Sequence, residues 1–357
     1  MAPSSGAWTA QEAKAMARRL NDPATVVSVD ADCAVPMRIP SMLEQSLREV
    51  LDDLDATEHL RDPVARFWAA EHLAVDGTRA ARFDLAHRGI LVMQEEEQRL
   101  RQPVLTWTLA YAQAVQAMLL GELARAEELA NAALTVGMAS GQPDAFSFYG
   151  AQLMIIRFMQ GRLNELLSLI ADVANENPAV PSYRAALAVA HLQIGDDAVA
   201  RSMLEEMASA GFSSNLDATW LDFTFSYSMI CIELGLAGPA NQLFEMISEY
   251  HHQVNHTGIS AMGPVSMYLG GLAAVADRYD EAERYFEEAV EITTAGPLLK
   301  FFLAWSEFLW GQMLLKRGRP EDRDGARDLL LQARDRAATE GYGRIENQAT
   351  AALSERD

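Results

Sequence analysis

Apolar residues recur at three- and four-residue spacing along almost the whole chain, and no stretch sustains the alternation of a half-buried strand. The pattern is clearest between residues 123 and 136, where Leu123, Ala126, Ala130, Ala133 and Leu134 make one stripe. Glu122, Arg125, Glu127 and Glu128 fall outside that stripe, as on a helix lying against a core. Another apolar helix is predicted just before it, from about Val104 to Leu120, with Gly121 separating the two. The basic unit is therefore a helical hairpin.

That unit repeats. Pro23, Pro63, Pro103 and Pro143 are each forty residues apart, in the contexts Leu-Asn-Asp-Pro, Leu-Arg-Asp-Pro, Leu-Arg-Gln-Pro and Ser-Gly-Gln-Pro. Proline suits the first turn of a helix, and an aspartate before it can cap the free N–H groups. First helices are thus expected to begin within three residues of Pro63, Pro103 and Pro143. Further turns are predicted at Gly161, Gly195, Gly235, Asp277-Arg278-Tyr279 and Gly318, spaced from Gly121 onward by 40, 34, 40, 42 and 41 residues. A period of this size marks a stacked helical array. The expected helix content exceeds roughly 70%, with no sheet.

Gly121, Ala126 and Ala133 resemble the tetratricopeptide pattern, in which a turn glycine is followed by small residues where two helices cross closely. Gly270, Ala282, Phe286 and Ala289 fit as well, with Asp277 in place of the turn glycine, and Gly318 is followed by Ala326 and Ala333. The resemblance implies an all-α, tetratricopeptide-like α-solenoid of antiparallel helical hairpins, wound as a right-handed superhelix. The clearest repeats span 103–340, degenerate ones 21–102, a partial repeat helix 1–20, and a truncated repeat or tail 341–357. Within the degenerate part, 41–58 reads as one acidic amphipathic helix, 34–40 as a loop, and 63–101 as two helices broken at Gly77. Both ends look cut, which suggests a segment of a longer protein.

Counting back from the turns, the same resemblance places Tyr111, Met118, Phe148, Gln152, Phe225, Met229, Met267, Trp305 and Phe308 on the concave side. An apolar, aromatic inner face of this kind is a candidate binding groove, with Gln152 to orient a polar ligand group and Arg157 nearby. Under tight curvature the same residues would instead be ordinary core.

Segments such as Phe67-Trp68-Ala69, Gly141-Gln142-Pro143-Asp144-Ala145, Asp217-Ala218-Thr219-Trp220-Leu221 and Tyr268-Leu269-Gly270-Gly271-Leu272 are similar to one group. It is the C-terminal repeat region of large actinobacterial regulators, which combine an ATPase module with a cyclase domain or a LuxR-type helix-turn-helix. The resemblance implies the sensor or scaffold arm of a signal-dependent transcriptional regulator. The expected partner is a protein, a peptide or a small effector in the groove, and a homodimer is possible. The alternative is an assembly scaffold acting through exposed end helices.

The chain has 357 residues and a formal charge of −21, which repels nucleic-acid phosphates, so direct nucleic-acid binding is not expected. It has no phosphate-loop, dinucleotide-fingerprint, nucleophile-elbow or zinc-protease motif, and no cofactor, metal or catalytic residue is expected. His252 and His256, four apart, would share a helix face if that segment is helical, with His251 beside them. A solvated helix end is the simpler reading. Glu95-Glu96-Glu97 reads as a solvated face, and Arg157, Arg162 and Arg184 as ion-pair partners of nearby acids. Two distant cysteines, Cys33 and Cys231, fit buried thiols in a reducing cytoplasm. The chain has neither a membrane-span run nor a signal-like N-terminus, and a cytoplasmic location is expected.

Overall fold

Asp22 and Asp62 cap the helices that their prolines begin. In the computed structural model, which describes residues 5–297 and 299–354, Asp22 accepts from the Thr25 N–H at 3.2 Å. Asp62 accepts from the N–H groups of Val64 and Ala65 at 3.0 and 3.1 Å. The helices so capped are α2 (Pro23–Cys33) and α4 (Pro63–Arg79), and Pro103 likewise opens α6 (Pro103–Leu119). Pro143 lies just ahead of α8 (Ala145–Gln160). Gly121, Gly161, Gly195, Gly235 and Gly318 all take positive φ at the turns, and Asp277 replaces a glycine there at φ 59°.

The chain is all-α, 79% helical. The inner series continues with α10 (Pro181–Gln193), α12 (Trp220–Leu234), α14 (Val265–Val275), α16 (Lys300–Arg317) and α18 (Gly343–Ser354). Between them run α1 (Ser5–Leu20), α3 (Leu43–Leu60), α5 (Phe83–Leu100), α7 (Leu123–Ala139) and α9 (Leu167–Glu176). The outer series ends with α11 (Asp197–Ser209), α13 (Ala237–Ile247), α15 (Tyr279–Thr294) and α17 (Asp322–Glu340). Consecutive helices pack as hairpins except α8 and α9, and inner helices also touch inner helices, as in the pairs α10–α12, α12–α14, α14–α16 and α16–α18. Burial follows this division. The outer α15 buries one stripe (Ala282, Phe286, Ala289, Thr293), whereas the inner α14 is buried on every side from Val265 to Ala274. A helix apolar all round belongs inside, so the middle of the inner series forms the core, while its end members α2 and α18 bury a stripe only. No helix among the described residues is long and apolar enough to cross a membrane. The outermost residues of the two expected terminal units, 1–4 and 355–357, lie outside the described residues.

Two expectations need correction. Gly77 does not break a helix: α4 runs through it to Arg79, and the chain turns at Ala81, whose φ is 54°. A Cβ at Gly77 would stand 2.6 Å from the Ala86 nitrogen, so this glycine marks where α4 and α5 cross backbone to backbone. The second correction is a small sheet. β1 (Val254–His256) and β2 (Ala261–Pro264) form an antiparallel hairpin between α13 and α14, pairing Val254 with Pro264 and Asn255 with Gly263. Both strands are buried throughout, so no alternation betrays them, and they are too short for periodicity to register.

That hairpin crosses the interior. Gln253 Nε2 donates to the Pro40 carbonyl at 2.9 Å, and Arg38 Nη1 donates to the Thr257 carbonyl at 3.2 Å. Further on, the Leu299 N–H donates to the Leu119 carbonyl at 2.6 Å, and α18 packs against α8. The later hairpins therefore fold back onto the earlier ones.

Candidate functional site

The residues expected to line an open groove are core. Tyr111, Met118, Phe225, Met229, Met267, Trp305 and Phe308 are all at most 8% exposed. Phe148 is half-buried and packs on Trp107 and Tyr111, with ring centroids 5.2 Å from each. Gln152 is buried, and its amide donates to the Tyr111 carbonyl at 3.0 Å rather than facing a ligand. Phe158, Phe225 and Trp305 come from α8, α12 and α16, yet their rings meet at 5.4 to 6.0 Å, and Tyr268 of α14 joins Phe225 at 5.0 Å. These aromatic faces of the inner helices meet because burying them excludes water. The concavity expected from these residues is filled by the residues themselves.

The charged candidates resolve similarly. Arg157 is held by Glu127 at 2.6 Å and Glu165 at 3.0 Å, Arg162 by Glu165 at 2.7 Å, and Arg184 pairs with Glu206. His252 is exposed, while His256 is buried in β1, so the two share no helix face. Cys33 and Cys231 are buried and unpaired with each other.

A different site emerges where α4, the segment after α2 and the β1–β2 turn converge. Although mostly apolar, α4 buries Glu71, His72, Asp76 and Arg79. Arg38, itself buried, donates Nη2 to both Glu71 oxygens, at 3.2 and 2.9 Å. Arg79 donates to Asp76 at 2.7 Å and to the Ile39 carbonyl at 3.1 Å, and Ser46 donates to Asp76 at 2.5 Å. Two guanidinium groups and two carboxylates are thus matched inside the fold. Removing any one would leave a buried charge without its counterpart.

Burial opposes charge here, and whether neighbours outweigh it differs from group to group. For Asp76, burial is outweighed by Arg79, Arg38 and the Ser46 hydroxyl, and its carboxyl stays below the usual range. Burial is likewise overcome for Arg38 by Glu71 and Asp76, which hold its guanidinium charged. His72 is pushed down by burial despite Glu71 at 3.2 Å. His256 is pushed down to about 3, chiefly by burial and then by Arg38 and Arg79. Its Nδ1 accepts the Gly258 N–H at 2.9 Å. Gly258 has φ +103°, and a Cβ there would stand 2.4 Å from Arg38 Nη1, so the turn needs a glycine.

Beside this cluster lies a cavity of about 550 Å³. Its walls come from α4, α5 and α6, the β1–β2 turn and the segment Ala295–Pro297. Val75, Phe83, Ile90, Met93, Val115 and Leu119 supply apolar surface, while Glu71, Thr78, His87, Gln116 and His256 supply polar groups. A mainly apolar cavity with few convergent polar groups is the usual form of a small-molecule site. None of its polar residues was singled out for this role by sequence. The available signal was the placement of Glu71, Asp76 and Arg79 within an inner, otherwise apolar helix, where isolated charges need buried partners.

No protein-family model matches the chain, and no curated protein was found to match it.

Proposed function

We propose that this chain is a non-enzymatic binding module, the sensor or scaffold arm of a signal-dependent regulator, which takes a small molecule in the α4–α6 cavity. The observation that carries this reading is a largely apolar cavity of about 550 Å³ bordered by a fixed polar cluster. The tetratricopeptide-like superhelix and the link to transcriptional regulators rest on the sequence resemblance, and the cytoplasmic setting on the two distant cysteines. The test is titration with an apolar naphthylamine fluorophore, alone and in an Ala112→Phe variant. Ala112 is half-buried and lines the cavity, so a phenyl ring there would occupy ligand space. Saturable enhancement that Ala112→Phe abolishes, with the helical signal unchanged, is expected. No enhancement, or enhancement indifferent to that change, overturns the reading.

One observation favours the assembly reading as a second role. Trp8, Met16 and Leu20 on α1 are 60%, 59% and 68% exposed, an unusual concentration of large apolar groups on one helix. Solution mass across a concentration series tests it, with self-association that Trp8→Ala and Met16→Ala together remove as the supporting result.

A further inference from the structure

The ring of His256 is held in one tautomer by the β1–β2 turn. Because Nδ1 accepts the Gly258 N–H at 2.9 Å, the ring proton resides on Nε2. His256 is 8% exposed and lines the cavity, and the Nδ1 contact is the ring's one hydrogen bond among the described residues. Nε2–H is therefore a donor on a buried ring with no partner among the described residues. Such a group costs free energy unless something at the site accepts from it.

The charges around it are already committed. Arg38 is used by Glu71 and the Thr257 carbonyl, and Arg79 by Asp76 and the Ile39 carbonyl. Neither guanidinium is left to pair with an anionic ligand, and the chain's charge of −21 disfavours one further. Both Glu71 oxygens accept from Arg38, so its carboxylate is likewise not left to hold a cation. Asp84, the other carboxylate of the lining, is exposed and pairs with Arg82 at 3.5 Å, and His87 is exposed as well. In the buried part of the cavity an ionised ligand would therefore lose its hydration without gaining a counter-charge.

We infer that the cavity selects an uncharged, mainly apolar molecule bearing a hydrogen-bond-accepting oxygen, such as a carbonyl, which the His256 Nε2–H engages. This rests on the cavity being the binding site. The burial that keeps the imidazole neutral supports it, because a neutral ring presents one donor and adds no charge to the wall.

The test is competition against the naphthylamine fluorophore with methyl decanoate, decanoate and decylammonium, three probes of matched chain that are neutral, anionic and cationic. The ester is expected to displace the fluorophore at concentrations at least about tenfold below either ion. His256→Phe keeps an aromatic ring without the donor and is expected to weaken the ester about tenfold when its affinity is referred to each protein's own fluorophore affinity. His256→Gln, which restores an N–H donor, is expected to recover most of that loss. Equal or tighter binding of an ion, or an ester affinity unchanged in His256→Phe, overturns the inference. Should His256→Phe fail to fold, the ranking of the three probes on the unaltered protein still decides it. Absence of fluorophore binding would instead remove the cavity reading on which this one stands.

Discussion

Beneath the β1–β2 hairpin, Asp222 of α12 offers a sharp test of how this interior is built. The residue as a whole is half-buried, but its Oδ1 is enclosed and lacks a hydrogen-bond partner. Burial raises its carboxyl pKa to about 7, against weaker help from the Asn255 and Ser260 side chains. The folded value lies above the ordinary aspartate value, so the native state holds a proton that the unfolded chain releases. Where the unfolded state binds fewer protons, stability falls as pH rises. Asp222 should therefore cost stability progressively from about pH 4 to about pH 7, at roughly 1.4 kcal/mol per pH unit.

The substitution Asp222→Asn keeps the shape of the side chain and removes the ionisation. Between about pH 5 and about pH 7 the variant should gain roughly 2 kcal/mol relative to the unaltered protein, the slope easing as pH nears the folded value. Urea midpoints for both proteins across this range measure that difference, in which other titrating groups cancel. His256 has the opposite sign: its folded pKa is pushed down to about 3, so it adds stability that is lost as pH falls below about 6.5. In the unaltered protein the two slopes oppose each other, and the substitution should expose the rising one. A difference between variant and parent that stays constant with pH would show that Asp222 is ionised normally, and with it that the interior under the hairpin is wet.

Three further outcomes follow from packing and charge. Gly77→Ala should destabilise by about 1–3 kcal/mol in the urea midpoint, because the new Cβ meets backbone at 2.6 Å and neither helix can yield a side chain instead. Trp305→Ala should cost about 3–5 kcal/mol and diminish the helical signal at moderate urea, since the indole is 1% exposed within the Phe158–Phe225 cluster; unchanged stability would return this residue to a surface role. The isolated chain should give no salt-sensitive mobility shift with duplex DNA at physiological salt, given its charge of −21.

The parts of this fold that were legible in sequence are those fixed by local chemistry. Asp62-Pro63 encodes a cap and a helix start within two residues, and Gly235 encodes a left-handed turn by itself. The inner face was misread for a reason also present in the sequence. On α12, Phe225 and Met229 lie on the opposite side from Phe223 and Tyr227. The residues between them, Thr224, Ser226 and Ser228, are short enough to bond the helix's own carbonyls, so bulky apolar groups occupy both sides. Family register offered these residues as a groove lining, with ordinary core as the alternative under tight curvature, and bulky apolar groups on both sides of the helix favour the core. The α4 cluster was hidden differently. Arg38 finds Glu71 across 33 residues and the Thr257 carbonyl across 219, and no periodicity links positions so distant.

Those distant contacts also bear on how a binding module of this shape would signal. The cavity wall draws on α4–α6 from the earlier part of the chain and on Gly258 and Ala295–Pro297 from the later part. A molecule touching both sets binds only when the hairpin turn is seated on α4, so occupancy and seating are thermodynamically linked. The direct bonds that seat the later segments include Arg38 to Thr257, Gln253 to Pro40 and Leu299 to Leu119. Each contributes about 1 kcal/mol net. A ligand at a hundred times its dissociation constant adds about 2.7 kcal/mol to the seated state. Occupancy is then comparable to the bonds that hold the two parts together. In the proposed sensor role, seating of the β1–β2 turn is the state that ligand would bias, and it requires no rearrangement of the aromatic core formed by Phe158, Phe225 and Trp305.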